Sequence, residues 1–312
     1  MFSICLMALA AGAACAQNYP IRSIRMVTSE PGSGTDTLAR LLAQGMSPSL
    51  GKQVVVDNKG GGILAIDNVL KAPPDGYTLL LYGTSLWLSP LMRDNSPYDP
   101  VRDFAPIVLA TISPNVLAVH PSLPVESVKE LIALARARPG ELNYGSGSTG
   151  APTHLAAELF KTMAGVNIVR IPYKGTGSAV NALIAGQVQL MFVSSSSVML
   201  HARTGKLKAL AVTTAQPTAL APGLPTVAAT GLPGYEAASF FGIFAPAGTP
   251  AALIDRLNGE VLRVLARTDV KERLFNTGME IVGATPAEFA ATIKSDIAKW
   301  GKVIKAAGIR DE

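Results

Sequence analysis

The sequence predicts an α/β protein with a largely parallel sheet, because strand-like and helix-like segments alternate along most of its 312 residues. Two glycine-rich turns, at residues 27–36 and 143–154, each lie between an extended apolar run and a helical segment. Such a turn directs free backbone N–H groups and the positive end of a helix dipole at one spot, which suits an anion. Two of these turns in two halves of the chain suggest a small acidic molecule held between two lobes.

Each element follows from the period of its apolar residues and from the glycines and prolines that end it. The first third predicts strands at 24–27, 54–57 and 77–82, and helices at 36–50 and 65–71. The middle third predicts strands at 116–120, 142–144, 168–172, 188–193 and 207–213, and helices at 127–138, 152–164, 178–185 and 198–204. A passage rich in Pro and Gly, 217–234, then leads to a strand at 238–245.

Three helices are predicted after this strand. Thr249 followed by Pro250 indicates the start of the first helix, and Asp269 indicates the start of the second. Thr285, with a Glu three residues later, forms a capping box that opens the third. Trp300 shares helical spacing with apolar neighbours in that third helix, so we expect it in the core.

Residues 1–16 are predicted to be a secretory signal peptide, since they are apolar and small and end in an A-x-A cleavage pattern. No Lys or Arg precedes the apolar core, which is unusual for a signal. Cys5 and Cys15 both lie in this segment, so the mature chain would have no disulfide, no thiol catalysis and no cysteine metal site. We expect an exported, periplasmic protein, and lipidation of Cys15 is the alternative.

The net charge of +5 is unevenly distributed. Residues 116–234 hold nine Lys or Arg and four Asp or Glu, whereas the rest of the chain holds equal numbers of each sign. A positive middle segment attracts anions; the alternative is a chance imbalance on a solvated surface. Nucleic-acid binding is not predicted, because no cluster of Lys and Arg is interleaved with aromatic residues.

The chemistry-bearing motifs do not indicate an enzyme. Residues 145–150 match G-x-G-x-x-G in the context of a dinucleotide fingerprint, but the acid expected about 20 residues later is missing from 168–172. We therefore interpret the motif as an anion turn without a nucleotide. G-x-S-x-G is absent and the three histidines are widely spaced, so no cofactor and no metal are predicted. His154 either ties down the glycine turn or contacts a ligand.

Short motifs spread over the whole chain carry a family resemblance. They lie at residues 31–36, 74–79, 98–104, 119–124, 154–155, 169–175, 186–192, 205–212, 225–227, 231–235, 245–250 and 299–303. In this order, they resemble the Bug family of bacterial extracytoplasmic solute receptors, also called the tripartite tricarboxylate transporter substrate-binding family. Each motif alone is weak, but their order over nearly the whole chain is specific.

The resemblance implies a two-lobed type II periplasmic binding protein, with a central β-sheet flanked by helices in each lobe. Lobe 1 would comprise 17–115 plus 235–312 and lobe 2 would comprise 116–234, joined by two hinge crossovers near 113–118 and 234–242. Such a monomer would bind a small carboxylate non-catalytically, close around it and deliver it to transporter membrane subunits. The alternatives are an enzyme with an acidic substrate in the inter-lobe cleft, and a ligand-sensing receptor for signalling.

The resemblance also implies a ligand site built from several loops. Its expected residues are Ser29, Glu30, Pro31, Gly32, Ser33, Gly34, Thr35, Asp36, Thr84, Ser85, Ser146, Gly147, Ser148, Thr149, His154, Tyr173, Lys174, Gly175, Ser194 and Ser195. The family usually has an aromatic residue and a proline in place of Ser29 and Glu30, and an aspartate in place of Val193. A buried Glu30 beside an anion would be unfavourable, so either Glu30 points away or the ligand brings a cationic or donor group to it.

Overall fold

The computed structural model describes residues 19–60, 63–147 and 149–310, so the predicted signal peptide at 1–16 and Ser148 lie outside the described residues. The strands are β1 (Ile24–Thr28), β2 (Val54–Asn58), β3 (Thr78–Gly83), β4 (Phe104–Val119), β5 (Asn143–Ser146), β6 (Val169–Pro172), β7 (Leu190–Ser194), β8 (Lys208–Val212), β9 (Ala238–Pro246) and β10 (Glu280–Ala284). The helices are α1 (Gly34–Leu50), α2 (Ile63–Leu70), α3 (Ser85–Leu88), α4 (Val128–Ala137), α5 (Pro152–Ala164), α6 (Thr176–Ile184), α7 (Ser195–Arg203), α8 (Ala251–Leu265), α9 (Thr268–Asn276) and α10 (Pro286–Ala306), with a 3-10 helix at Ser89–Met92. The predicted α/β class is confirmed.

One long strand, β4, belongs to two sheets. Its residues 104–114 pair antiparallel with β9, and β10 pairs with the same half. Its residues 115–119 pair antiparallel with β7 and β8. The first sheet continues through β3, β1 and β2, and the second continues through β5 and β6. The parallel pairs β1–β2, β1–β3, β5–β6 and β5–β7 place the glycine turns after β1 and β5 at strand ends.

The helices pack on the sheets through the apolar faces that their sequence periodicity predicts. Leu38, Leu42 and Met46 of α1 are fully buried against the first sheet, and each such side chain contributes about 1.5–3 kcal/mol by leaving water. Gly242 of β9 is needed for close packing, because a Cβ there would lie 2.3 Å from the Cζ atom of Phe289. Helix α10 can therefore lie directly on the sheet.

The ends of the C-terminal helices differ in part from the sequence prediction. The capping box at Thr285 is confirmed. Helix α8 begins at Ala251 with Pro250 at the N-cap, while the Thr249 hydroxyl donates to the Pro246 carbonyl, so Thr249 was wrongly assigned as the cap. Asp269 lies inside the first turn of α9 and pairs with Arg267. The strand β10 was missed, since five residues with a glycine give too short a pattern. Within the described ranges, no helix has both the length and the apolarity of a membrane span.

A candidate ligand cleft beside the shared strand

A cleft of about 280 Å³ opens beside the middle of β4. Seven of the twenty expected site residues line it: Ser29, Glu30, Ser33, Gly34, Thr35, Thr84 and Ser85. The other lining residues are Tyr82, Gly83, Leu88, Asn115, Gly150, Pro152, Leu155, Ala237, Ala238, Ser239, Phe241 and Trp300. The cleft therefore receives residues from both sheets and from the two chain segments that cross between them.

Residues 29–36, called loop 1 below, bring three hydroxyl groups together at the cleft. The Ser29 Oγ lies 2.5 Å from the Thr35 Oγ1 and 3.0 Å from the Ser33 Oγ, and the last two atoms are 3.0 Å apart. A hydroxyl can rotate to donate or accept. The three hydroxyls thus satisfy one another and can turn their donors towards an acceptor that enters the cleft.

Loop 1 also presents the start of α1 to the cleft. Ser33 is the N-cap, and its hydroxyl accepts a hydrogen bond from the Asp36 N–H at 3.2 Å. The N–H groups of Gly34 and Thr35 lie in the first helical turn, where no carbonyl of the helix can accept from them. Both residues line the cleft, so the positive end of the α1 dipole faces it.

Asp36 supports loop 1 from behind. Its carboxylate accepts from the Gly32 N–H and from the Asn58 amide, both at 2.8 Å, and pairs with Arg40 at 3.0 Å. Burial alone would raise the pKa of Asp36, but these hydrogen bonds and the Arg40 charge lower it below its usual value. Asp36 is therefore a charged anchor of the loop. Together with Gly32 and the exposed Pro31, it lies outside the cleft lining.

The end of β3 forms the adjoining wall. The Thr84 hydroxyl accepts from the Phe240 N–H at 2.8 Å, and the Thr84 N–H donates to the Phe240 carbonyl at 3.0 Å. These bonds attach the wall to β9 just beyond the last residue pair of β3 with β9. Ser85, at the start of α3, completes this side of the cleft.

Residues 146–154, called loop 2 below, have a different arrangement. Arg170 on β6 donates to the Ser146 hydroxyl at 2.8 Å, to the Gly147 carbonyl at 3.0 Å and to the Thr149 hydroxyl at 3.2 Å. Ser146 is fully buried, and none of these three loop residues lines the cleft. Arg170 thus occupies polar groups of Ser146, Gly147 and Thr149, and among the described residues of loop 2 only the later ones reach the cleft.

Those later residues are held in place by His154. The His154 Nδ1 accepts from the Gly150 N–H at 3.1 Å, which is the first of the two roles that the sequence left open. Burial, followed by the positive charge of Arg170, lowers the pKa of His154 to about 4, so the ring is neutral and able to accept. Gly150 has φ +73°, and a Cβ there would lie 2.6 Å from the Cε atom of Met92. The turn therefore packs tightly at the edge of the cleft.

The remaining expected residues that the structure describes lie outside the cleft lining. The Tyr173 N–H donates to the Ser146 carbonyl at 2.9 Å, and Lys174 and Gly175 follow it towards α6. The Ser194 hydroxyl bonds to the Ser197 hydroxyl at 2.8 Å, and Ser195 is buried in the first turn of α7. These residues were expected from the family resemblance, which does not tell which side of a strand end faces the cleft in this chain.

The expected list lacked Asn115, which lies at the point where β4 changes sheets. Its backbone N–H donates to the Thr213 hydroxyl at 3.1 Å, and the Thr213 N–H donates to its carbonyl at 2.9 Å. Its side-chain Nδ2 is buried with no hydrogen-bond partner among the described residues. Because 113–118 and 234–242 were predicted as hinges and as parts of strands, Asn115 and the lining residues Ala237 and Phe241 were not assigned to the site. Trp300 is buried as expected, yet it also reaches the cleft.

Glu30 is the only charged side chain among the described residues that line the cleft. It is exposed and contributes to the wall. Burial raises the pKa of the neighbouring Tyr82 to about 12, and the negative charge of Glu30 acts in the same direction. Glu30 therefore lies at the wall of the cleft and close to Tyr82.

The fold and the cleft define a two-lobed solute-binding protein of the periplasmic binding class. The chain belongs to the Bug-type receptors of the tripartite tricarboxylate transporter: the model of the tripartite tricarboxylate transporter family receptor matches residues 38–309. It is 35% identical to protein BugT of Bordetella pertussis over 300 residues, 95% of this chain and 92% of that protein. The predicted family is thereby confirmed, and it is a family of solute-binding receptors.

Two solved structures are similar over nearly the whole chain. An R. palustris protein solved with adipate is 38% identical, with a TM-score of 0.77, and the match covers 94% of this chain and 99% of that one. The periplasmic binding protein BugD is 34% identical, with a TM-score of 0.75, over 94% of this chain and 100% of that one. The predicted fold is confirmed by these relatives.

Proposed function

We propose that this protein is a non-catalytic periplasmic receptor that binds a small organic acid in the cleft and closes around it. The observation that carries the proposal is loop 1, where the hydroxyls of Ser29, Ser33 and Thr35 and the N-terminus of α1 face one cleft. Hydroxyl donors and a helix N-terminus bind a carboxylate without a cationic side chain. The adipate bound to the R. palustris relative supports this ligand class.

The lobes proposed for closure are residues 17–115 plus 235–312 and residues 116–234. The change of partners along β4 supports this division, since residues up to 114 pair with β9 and residues from 115 pair with β7 and β8. Thr213 links the two crossovers, because it bonds to Asn115 and its carbonyl accepts from the Ala237 N–H at 2.9 Å. A hinge built from two strands permits rotation of one lobe against the other.

A receptor accounts for the cleft better than an enzyme does. Within the described lining, no serine or threonine hydroxyl is paired with a histidine, and the hydroxyls of loop 1 bond to one another. Serine and threonine nucleophiles are commonly activated by an adjacent base. Family membership supports delivery of the acid to the membrane subunits of a tripartite tricarboxylate transporter. In this proposal the protein acts as a monomer and is exported through the predicted signal peptide.

Thermal unfolding tests this function. The purified mature chain is heated with dicarboxylates, aromatic acids, aliphatic acids and amino acids in a buffer without carboxylates. We expect a concentration-dependent rise in Tm with at least one acid, equivalent to about 2.7 kcal/mol at 100 times its Kd. The acid must be recovered unchanged. Absence of a shift with every acid, or conversion of the bound acid, would contradict the proposal.

A further inference from the structure

The two proposed lobes are also in contact outside the cleft, at the start of β10. The Glu280 carboxylate, in proposed lobe 1, accepts from the Thr218 hydroxyl and from the Ala219 N–H, the latter at 3.1 Å. Thr218 and Ala219 belong to the Pro- and Gly-rich passage of proposed lobe 2. The Thr218 hydroxyl also accepts from the Leu220 N–H at 3.1 Å, so its single proton is left for Glu280. None of these residues lines the cleft.

The two residues before Glu280 extend this contact to α7 and to loop 1. Gly278 has φ +79° and lies against the first turn of α7, since a Cβ there would be 2.8 Å from the Ser196 Cβ atom. Met279 is buried, and its Cε atom would lie 3.1 Å from a Cβ at Gly34, which begins α1 in the cleft wall. Gly278, Met279 and Glu280, called the clasp below, therefore join lobe 2 to loop 1.

The clasp lies away from the segments in which the chain crosses between the lobes. Glu280 pairs with Ile112 on β4, three residues before the strand changes partners at Asn115, a spacing of about 10 Å along the strand. Rotation of the lobes about the crossovers therefore moves Glu280 relative to its donors. Because N–H···O bonds require about 2.7–3.2 Å between their heavy atoms, the Glu280 bonds fit only a narrow range of lobe arrangements.

The arrangement that the clasp fits is the one in which both lobes bound the cleft. Gly150, Pro152 and Leu155 of lobe 2 line it together with loop 1 and Thr84. Gly150 also packs tightly against Met92 of lobe 1 at its edge. The apparent Kd of a receptor is its intrinsic Kd divided by the fraction of molecules in the binding arrangement. Any contact that favours this arrangement from outside the cleft therefore raises affinity.

We infer that the clasp holds the two lobes in their ligand-binding arrangement, and that Glu280 is a positioning residue for ligand binding. The inference rests on the proposed lobes and receptor function, and it adds the contact that biases lobe closure. Loss of the Glu280 acceptor releases Thr218 and Ala219 from lobe 1. The lobes then separate more often, and the cleft is less often complete.

Four variants test the clasp. Glu280→Ala removes the acceptor, Glu280→Gln keeps an acceptor oxygen, and Thr218→Val removes the hydroxyl donor with little change of shape. Glu272→Ala removes an exposed acid of α9 outside the cleft lining and is the control. The Kd of an acid identified in the thermal screen is measured by titration calorimetry. The radius of gyration of each ligand-free protein is measured by small-angle X-ray scattering, and urea denaturation checks that each variant is folded.

The Kd should rise about tenfold in Glu280→Ala, since two hydrogen bonds to a charged acceptor no longer favour the binding arrangement. The ligand-free radius of gyration should rise with it. Thr218→Val should change both quantities in the same direction, and it decides the question if Glu280→Ala does not fold. Glu280→Gln should restore most of the affinity, because its side-chain oxygen still accepts. Glu272→Ala should behave as the wild type does.

A wild-type Kd or a wild-type radius of gyration in Glu280→Ala would overturn the inference and leave the receptor function standing. The same holds if Glu280→Gln restores nothing, or if Glu272→Ala loses as much affinity as Glu280→Ala. If no acid binds to the wild type, the receptor function fails. The scattering comparison then still decides whether the clasp holds the lobes together.

Discussion

Loops 1 and 2 have the same sequence design, a strand followed by a glycine turn and a helix, but they have different roles in the folded protein. In loop 1 the hydroxyls of Ser29, Ser33 and Thr35 bond to one another at the cleft. In loop 2 the Ser146 and Thr149 hydroxyls accept hydrogen bonds from Arg170. The difference teaches that an anion turn is available for a ligand only if no cation of the protein already occupies it.

The nearest cation to each loop explains the contrast. Arg40 reaches loop 1 from the outside, where it pairs with the anchoring carboxylate of Asp36 and leaves the hydroxyls free to turn. Arg170 lies on β6, in register with Tyr144 of the strand that leads into loop 2, so its guanidinium reaches the loop itself. In the proposed function, loop 1 is the binding surface, and loop 2 is a braced support that contributes Gly150 and Pro152 to the cleft.

The largest effect should follow from removing the brace. Arg170→Met deletes three hydrogen bonds from a charged donor while keeping most of the aliphatic stem. We expect the free energy of unfolding to fall by about 3 kcal/mol, as measured by urea denaturation. Arg138→Met, which removes an exposed guanidinium at the end of α4, is the control. Equal losses in both variants would show that Arg170 does not hold loop 2.

The loop 1 hydroxyls should dominate affinity. The double variant Ser29→Ala with Thr35→Val removes two hydroxyls but keeps the Ser33 cap, so the helix start is preserved. For an acid identified in the thermal screen, we expect Kd to rise tenfold to a hundredfold, or about 1.4–2.8 kcal/mol. Thr37→Val is the control, since the exposed Thr37 hydroxyl donates to the Ser33 carbonyl outside the cleft lining. An unchanged Kd in the double variant would refute the role of loop 1.

The next largest effect should be a pH-dependent loss of folding stability that comes from His154 in loop 2. The folded pKa of His154, about 4, lies below the ordinary value of 6.5, so the native state binds fewer protons than the unfolded state between these values. Stability is therefore complete above pH 6.5 and is lost as the pH falls towards 4, by about 1–2 kcal/mol at pH 5.

His154→Asn removes this titration. Comparing the two proteins by urea denaturation from pH 7 to pH 5 cancels the contributions of all other groups. The wild type should lose more stability than His154→Asn does. Parallel curves for the two proteins would mean that His154 is not held neutral in loop 2.

The smallest effect should come from Thr149→Ala. Because the Thr149 hydroxyl accepts from Arg170 and lies outside the cleft lining, its loss should change the Kd of the same acid by less than threefold. Calorimetry on this variant beside the loop 1 double variant gives the direct comparison. A loss as large as that of the loop 1 variant would erase the distinction between binding surface and support.

Much of the fold was predictable from the sequence, because strand and helix periods are local. The strands β1 and β3 and the helix α5 lie within a residue or two of their predicted bounds. Strand β4 was predicted only from residue 116 and in fact begins at Phe104. Pro106 and Pro114 interrupt the pattern of that stretch, and pairing with β9 and β10 makes it a strand nonetheless.

The sequence by itself determined the alternation of strands and helices, the two glycine turns, the hydroxyl-rich loop 1 and the family to which the chain belongs. Only the tertiary structure decided which turn faces the cleft, since Arg170 is brought to loop 2 by the pairing of β5 with β6. It likewise brought Asn115, Phe241 and Trp300 to a cleft that no local pattern marks. Local periods follow from neighbouring residues, whereas a binding site is formed by residues whose distances depend on how the whole chain packs.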